Sequence, residues 1–293
     1  MYSILEFFKI GIGPSSSHTT GPIQASRKFV SFLKHKKVFG EVDTIKIELY
    51  GSLALTGEGH GTPIALKLGL LNYSPDEVKQ PHLDEVDALD GEIKLGGVRK
   101  IKFKDSDIVF NKKETLPYHP NGIKFYAYVK ENEVATREYY SIGGGFVVTE
   151  DNAKKDKIKS SNRKLTHEFK SADELFNIAN NMQIKISDVI FENEKCFRNE
   201  NKTHAQLKRI WKIMQECVDR GLTTVGMLPG KIKVERRASI MYENFLKNNE
   251  LESQAFLDFA SICAIAVNEE NADMNRVVTA PTNGAMVLGK VLS

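Results

Sequence analysis

Cysteine is scarce: three residues in 293, at Cys196, Cys217 and Cys263. That is too few, and too widely spaced, for a disulfide framework or a CxxC metal knuckle. Cys217 and Cys263 lie inside helical patterns, where cysteine serves as a small buried apolar group. Charge of one sign is not in excess either. Lys and Arg number 41 against 38 Asp and Glu, for a net charge of +3, and no long block of one sign points to nucleic acid. No apolar run approaches the roughly 18 residues of a membrane span. The opening Met1-Tyr2-Ser3-Ile4-Leu5-Glu6 lacks the basic start and small-residue cleavage site of a signal peptide. These absences lead us to expect a cytoplasmic protein with reduced cysteines, long enough for two ordinary domains.

What the sequence does contain is concentrated in glycine- and hydroxyl-rich runs. Residues 11–22 (GIGPSSSHTTGP) pack three glycines, five hydroxyls and one imidazole between two apolar segments. Glycine and proline fix an irregular backbone there. Thr20 or Gly21 can cap a helix that opens with Pro22, where a missing N–H costs nothing. Free N–H groups and the dipole at that helix start favour an anion, by about 0.3–1 kcal/mol per exposed interaction. His18 beside it can act as acid or base. From composition alone, a well-capped surface loop explains the run equally well.

Residues 23–37 read as an amphipathic helix, with Ile23, Phe29, Val30 and Leu33 facing a core. Alternation at 44–50 predicts a half-buried strand. It leads into a second rich loop at 51–62 (GSLALTGEGHGT), where His60 stands between glycines before a helix at 64–71. Segments 92–95, 100–103, 108–110, 124–129 and 135–141 predict strands of an antiparallel meander. A triple glycine, Gly143 to Gly145, closes that region and allows close backbone approach. Residues 154–170 hold seven Lys or Arg and few apolar residues, the composition of a solvated linker. From Ser171, an expected cap whose capping box Glu174 completes, the pattern turns helical. Apolar stripes at 207–218 and 251–267 read as core. The amides, carboxylates and P-T-N-G turn of 267–272 and 276–285 suit recognition of a small polar zwitterion.

Four of these stretches together resemble the iron–sulfur L-serine dehydratases (L-serine ammonia-lyases) of bacteria, single-chain type. They are P-S-S-S-H-T at 14–19, G-S-L-A-L-T-G-x-G-H-G-T at 51–62, Y-S-x-G-G-G-F at 140–146, and V-N-E-E-N-A with R-V-V-T-A-P-T-N-G-A at 267–285. They follow the family order across almost the whole chain. Two departures are visible: Pro63 stands where the family often has an acidic residue, and Lys231 replaces the second glycine of an L-P-G-G loop.

The resemblance implies an α+β fold. An N-terminal α+β domain with an antiparallel sheet covers 1–150, a basic linker 151–170, and the N-terminal part of an all-α catalytic domain 171–293. It implies conversion of L-serine to pyruvate and ammonia, in amino-acid degradation and gluconeogenesis. A [4Fe-4S] cluster held by three cysteines would act as Lewis acid. The site residues carried over are His18 as base for the α-proton, with His60 as the second catalytic histidine. Ser15, Ser16, Ser17 and Thr19 would hold the substrate carboxylate, and Thr282, Asn283 and Gly284 would form a substrate turn. No metal ligand is carried over, because none of the three cysteines falls in a ligand motif. L-serine is the expected partner, without nucleic acid or membrane, and homodimerisation is left open.

Family members continue past T-N-G-A into a cysteine-bearing helical remainder, whereas this sequence reads MVLGKVLS over 286–293. The expectation is a frameshift or premature stop. Such a chain should bind little iron, release no pyruvate by itself, and expose apolar faces of its later helices. Two rival classes stand beside this reading. One is a non-enzymatic small-anion-binding, amino-acid-binding or assembly protein that keeps the first loop. The other is a pyridoxal-phosphate lyase using the Gly143–Gly145 turn.

Overall fold

A computed structural model describes residues 3–89, 91–153, 164–230, 232–247, 255–280 and 283–291. Most of the basic stretch (154–163), Lys231, Pro281 and Thr282 fall outside the described residues.

Ser3 opens a short helix α1 (Ile4–Phe7), its hydroxyl accepting from the Leu5 N–H while Glu6 accepts from the Ser3 N–H. Strand β1 (Lys9–Ile12) follows, then a π-helical turn over Ser16–Thr20 that runs directly into α2 (Gly21–His35). Helical structure thus begins a turn earlier than the sequence reading places it. Ser15 takes the capping role, its hydroxyl accepting from the His18 N–H at 3.1 Å, and Thr20 makes no side-chain cap bond.

Helix α2 places Ala25, Phe29 and Leu33 in one buried core with Ile45, Ile47 and Leu49, which alternate inward along β2 (Thr44–Tyr50), and Phe29 stacks on Phe125. Each such side chain contributes roughly 1.5–3 kcal/mol, so this apolar face rather than helix propensity holds α2 in place. Helices α3 (Gly51–Thr56), α4 (Thr62–Leu70) and α5 (Gln80–Asp87) lead to the hairpin β3 (Gly91–Leu95) and β4 (Arg99–Phe103). Then come β5 (Ile108–Asn111), β6 (Gly122–Val129), β7 (Asn132–Ser141), β8 (Val147–Thr149) and a short α6 (Glu150–Ala153).

The sheet runs in the order β3-β4-β2-β6-β7-β8, with β5 also paired to β2. The pairs β3–β4, β2–β6, β6–β7 and β7–β8 are antiparallel. The meander pattern breaks at β2, which meets β4 and β5 in parallel. Parallel neighbours need a crossover, and α3 to α5 provide it. Strand β2 therefore sits at the centre of the sheet, with the glycine-rich run at 51–62 leaving its end.

The helical half comprises α7 (Ala172–Met182), α8 (Ile186–Glu194), α9 (Glu200–Thr223), α10 (Ala238–Lys247), α11 (Ala255–Ala272) and α12 (Gly284–Val291). Ser171 caps α7 as its sequence predicts, accepting from the Glu174 N–H, but the Glu174 carboxylate accepts from Lys170 N–H. Among the described residues one strand interrupts the helices: β9 (Arg276–Ala280) pairs antiparallel with β1, setting Ile10 opposite Val278 and Ile12 opposite Arg276. Leu5 joins Ile213, Val218, Ile262 and Val277 in the core of this half. Glu194 accepts from the Ser3 hydroxyl and the Ile4 N–H, both at 2.7 Å. Residues 3–12 are thus bound to the helical half, and the P-S-S-S-H-T loop stretches from there to the sheet half. No described helix is long and apolar enough to cross a membrane.

Gly13, just before that loop, lies against α11: a methyl group there would overlap the backbone carbonyl oxygen of Asn271. The Gly13 N–H also donates to the Asn275 carbonyl at 3.2 Å. Backbone cannot step aside as a flexible side chain would, so Gly13→Ala is expected to lower unfolding free energy by about 1–3 kcal/mol or more. Chemical denaturation of the two chains checks this; an unchanged midpoint would mean that the approach of the two segments is looser than described.

Candidate active site

The first loop is pinned by every one of the three later stretches that the sequence singles out. From the second, Thr62 donates its hydroxyl to the His18 carbonyl at 2.6 Å, and Thr19 donates to the His60 carbonyl at 2.8 Å. The two histidine loops are thereby laced to each other reciprocally. From the third, the Ser141 hydroxyl donates to the Ser17 carbonyl at 2.8 Å. From the fourth, Asn271 Nδ2 donates to the Pro14 carbonyl at 3.0 Å. Segments separated by more than a hundred residues meet at one turn, and side chains rather than a regular ladder hold them there.

This lacing brings the rings of His18 and His60 to 4.9 Å between centroids, tilted by 39°. His18 is buried, at 9% exposure, and both ring nitrogens meet hydroxyls: Nδ1 the Ser17 Oγ at 2.8 Å, Nε2 the Ser52 Oγ at 3.1 Å. Its pKa is held below the ordinary imidazole value, first because burial penalises the charged ring and second because His60 would repel it; the Ser52 bond opposes this. His18 is therefore a neutral imidazole near pH 7, able to accept a proton. His60 is more open. Its Nδ1 contacts the Thr56 carbonyl at 2.8 Å. A carbonyl can only accept, so Nδ1 carries the hydrogen and Nε2 is left as the reactive nitrogen.

The candidate carboxylate ligands do not behave alike. Ser15 caps the turn and also contacts Ser17 Oγ at 3.3 Å. Thr19 is fully buried and its hydroxyl is committed to the two loops. Ser16 is part-exposed, and its hydroxyl has no hydrogen-bond partner among the described residues. Of the four, Ser16 is the group most available to a ligand. Asn283 opens α12, its carbonyl accepting from the Met286 N–H at 3.0 Å, with Gly284 as the first helical residue. No hydrogen bond joins Asn283 to the His18 turn among the described residues, and Thr282 lies outside them.

Ser52, Thr62, Ser141 and Asn271 were not read from the sequence as site residues. The signal available was the repeated occurrence of hydroxyls within the glycine-rich runs. The zwitterion-recognition reading of 267–272 meets a different outcome. The Glu269 carboxylate accepts from the N–H groups of Arg237 and Ala238 at the start of α10. Glu270 is fully buried against Arg220 and Arg236. These carboxylates hold the fold together. The triple glycine, all three residues at positive φ, closes the β7–β8 connection, with the Phe146 N–H donating to the Gly143 carbonyl.

The cysteines do not suit a cluster. Cys217 and Cys263 are buried in the apolar core of the helical half, where burial pushes their thiols up to about 12 and about 11. Cluster iron is held by thiolates. Cys196 stands apart, between α8 and α9, with Thr166 Oγ1 at 3.6 Å. No group of three or more His, Cys, Asp or Glu side chains able to hold a metal forms among the described residues.

Comparison with known proteins accounts for both halves. Residues 3–152 match the serine dehydratase beta chain family, and residues 181–288 match the serine dehydratase alpha chain family. The chain is 44% identical over 288 residues to the L-serine dehydratase of Streptomyces coelicolor, covering 97% of this chain and 63% of that protein. It is 39% identical to the L-serine dehydratase of Mycobacterium tuberculosis, with 97% and 62% covered. To L-serine dehydratase 1 of Escherichia coli it is 37% identical, with 97% and 64% covered. The chain thus spans slightly under two thirds of the length of these relatives. With its sheet half matched to the beta-chain family and its helical half to the alpha-chain family, in that order along one polypeptide, the chain belongs to the serine dehydratases.

Proposed function

We propose that this chain is a cytoplasmic L-serine ammonia-lyase, or the greater part of one, converting L-serine to pyruvate and ammonia. The observation that carries the reading is the neutral His18, held at both ring nitrogens by hydroxyls and set against His60. Serine dehydration removes the α-proton and breaks the Cβ–O bond, giving water and 2-aminoacrylate. The enamine tautomerises to an imine, which water converts to pyruvate and ammonia. His18 is the base for the α-proton. Its depressed pKa keeps the accepting nitrogen unprotonated at neutral pH. His60 Nε2, which carries no hydrogen in the resting ring, relays to the departing hydroxyl the proton that His18 takes from the α-carbon. Ser16, with Ser15 and Ser17, orients the carboxylate, and Asn283 and Gly284 belong to the substrate turn. The [4Fe-4S] cluster that the family resemblance implies finds no ligand set among these three cysteines.

The test extends this chain with the C-terminal part of the Streptomyces coelicolor relative and assays pyruvate and ammonia anaerobically. Equal amounts of both, dependent on L-serine, are expected. A folded, iron-loaded fusion that makes neither, while the intact relative does, would overturn the assignment.

A further inference from the structure

A cleft of about 260 Å³ opens between β1, α2 and α9. It is roomier than the ~150 Å³ apolar cavity that holds a benzene ring. Leu5, Phe8, Ile10 and Ile210 supply apolar wall, and Lys9, Gln24 and Arg209 supply polar groups. Of the π-helical turn that carries His18, only Thr20 lines the cleft.

One of the two cations of the cleft is neutralised by another lining group and the other is not. Arg209 is paired with Asp76 at 2.7 Å. Asp76 is also bonded by the Ser74 hydroxyl. The Lys9 ammonium instead lies over the Phe146 ring, 4.6 Å from its centroid. Among the described residues it has no hydrogen-bond acceptor and no carboxylate at ion-pair distance, and burial lowers its pKa against the more distant pull of Glu6. The Gln24 amide makes no hydrogen bond to a described residue. Thr20 Oγ1 is buried without a partner. The cleft thus carries one uncompensated positive charge, an amide donor and apolar walls. The uncompensated Lys9 charge disfavours a cationic ligand. Asp76 disfavours a second negative charge, and the apolar wall favours a hydrocarbon tail over a bare inorganic anion.

We propose that this cleft is a binding site for a small organic monocarboxylate, its carboxylate on Lys9 and Gln24 and its hydrocarbon on Phe8 and Ile210. Because Thr20 belongs to the turn that carries His18, occupancy is felt at the His18 ring. The inference rests on the cleft alone and stands apart from the dehydratase reading.

Titration of the ¹⁵N-labelled chain with sodium butyrate tests it, with acetate, inorganic phosphate and chloride at matched ionic strength as comparisons. Saturable shifts of the Lys9, Thr20 and Gly145 amides are expected with butyrate, weaker with acetate, together with a shift of the His18 imidazole. Lys9→Met should weaken butyrate binding by about tenfold or more, and Lys9→Arg should preserve it, as loss of a charge-assisted hydrogen bond predicts. Should Lys9→Met fail to fold, Gln24→Leu carries the same expectation. Absence of saturable shifts, equal affinity in the charge-removed variant, or phosphate binding as tightly as butyrate would each overturn the proposal.

Discussion

His18→Ala should lower pyruvate formation by about 10²–10⁴, the range for loss of a general base, in the extended chain described above. His60 is the nearest titratable ring, but its Nδ1 is committed to the Thr56 carbonyl and its Nε2 to the proton for the departing hydroxyl. Folding should survive, because the ring gives only the Ser52 contact between segments, and the turn keeps the bonds made through the His18 carbonyl and N–H and the Ser17 carbonyl. The pH profile adds a second reading. Protonation removes the base, and burial together with His60 holds the His18 pKa below its usual value of 6.5. Activity should therefore persist below pH 6.5 before its acid limb falls. Replacing His60 by Gln removes the repulsion and should move that limb toward higher pH. A rate unchanged in His18→Ala would reduce the residue to a structural role, and an acid limb that ignores His60 would separate the two rings functionally.

How far the sequence disclosed this arrangement depended on the range of the interactions. Strands β3, β4, β6 and β7 follow from local alternation of side chains, and their bounds lie close to the segments predicted at 92–95, 100–103, 124–129 and 135–141. The α2 stripe is equally local: Phe29 and Leu33 are spaced so as to face one side. The Ser15 cap was hidden because three consecutive serines precede His18 and each is a competent cap. Its selection depends on the π-helical turn, which leaves no periodic trace. The β1–β9 pairing was invisible for another reason. Two short strands at opposite ends of the chain carry no turn signal between them, and R-V-V-T-A follows a helix closely enough to read as its continuation. The meeting of His18 with His60 was suggested by composition and by the family resemblance. The hydroxyls that produce it, Thr19, Thr62, Ser52 and Ser141, act across 34 to 124 residues of sequence, a reach that no local pattern records.

The same principle makes Glu270 the residue whose loss should cost the fold most. Its carboxylate is fully buried and accepts from Arg220 Nε at 2.8 Å, Arg236 Nη1 at 3.0 Å and Asn275 Nδ2 at 3.3 Å. The Arg236 side chain is 1% exposed, and its other named partner is the part-exposed Asp273, at 2.5 Å. Arg220 also donates to the Arg276 carbonyl at 2.9 Å, tying α9 to β9. Glu270→Ala would leave one guanidinium buried and under-compensated, and would release the other from its position. Removing one partner of such a buried group typically costs about 3–5 kcal/mol, far more than the pair contributes relative to an apolar replacement of both sides. Replacing Glu270 and Arg236 together by leucine should therefore cost less than the sum of the two single changes. The effect should also reach the site. Asn271 and Asn275 flank the end of α11 and hold Pro14 and Gly13 at the entrance of the His18 turn. Urea unfolding of Glu270→Ala, of Glu270→Leu and Arg236→Leu singly and of the two leucine changes together, with the His18 ring followed by NMR, measures both consequences. A single-variant loss below about 0.5 kcal/mol, the size of an ordinary surface change, would mean that water reaches this cluster. In that case neighbouring contacts, rather than the buried charges, would fix the α11–β9 corner and the loop beside it.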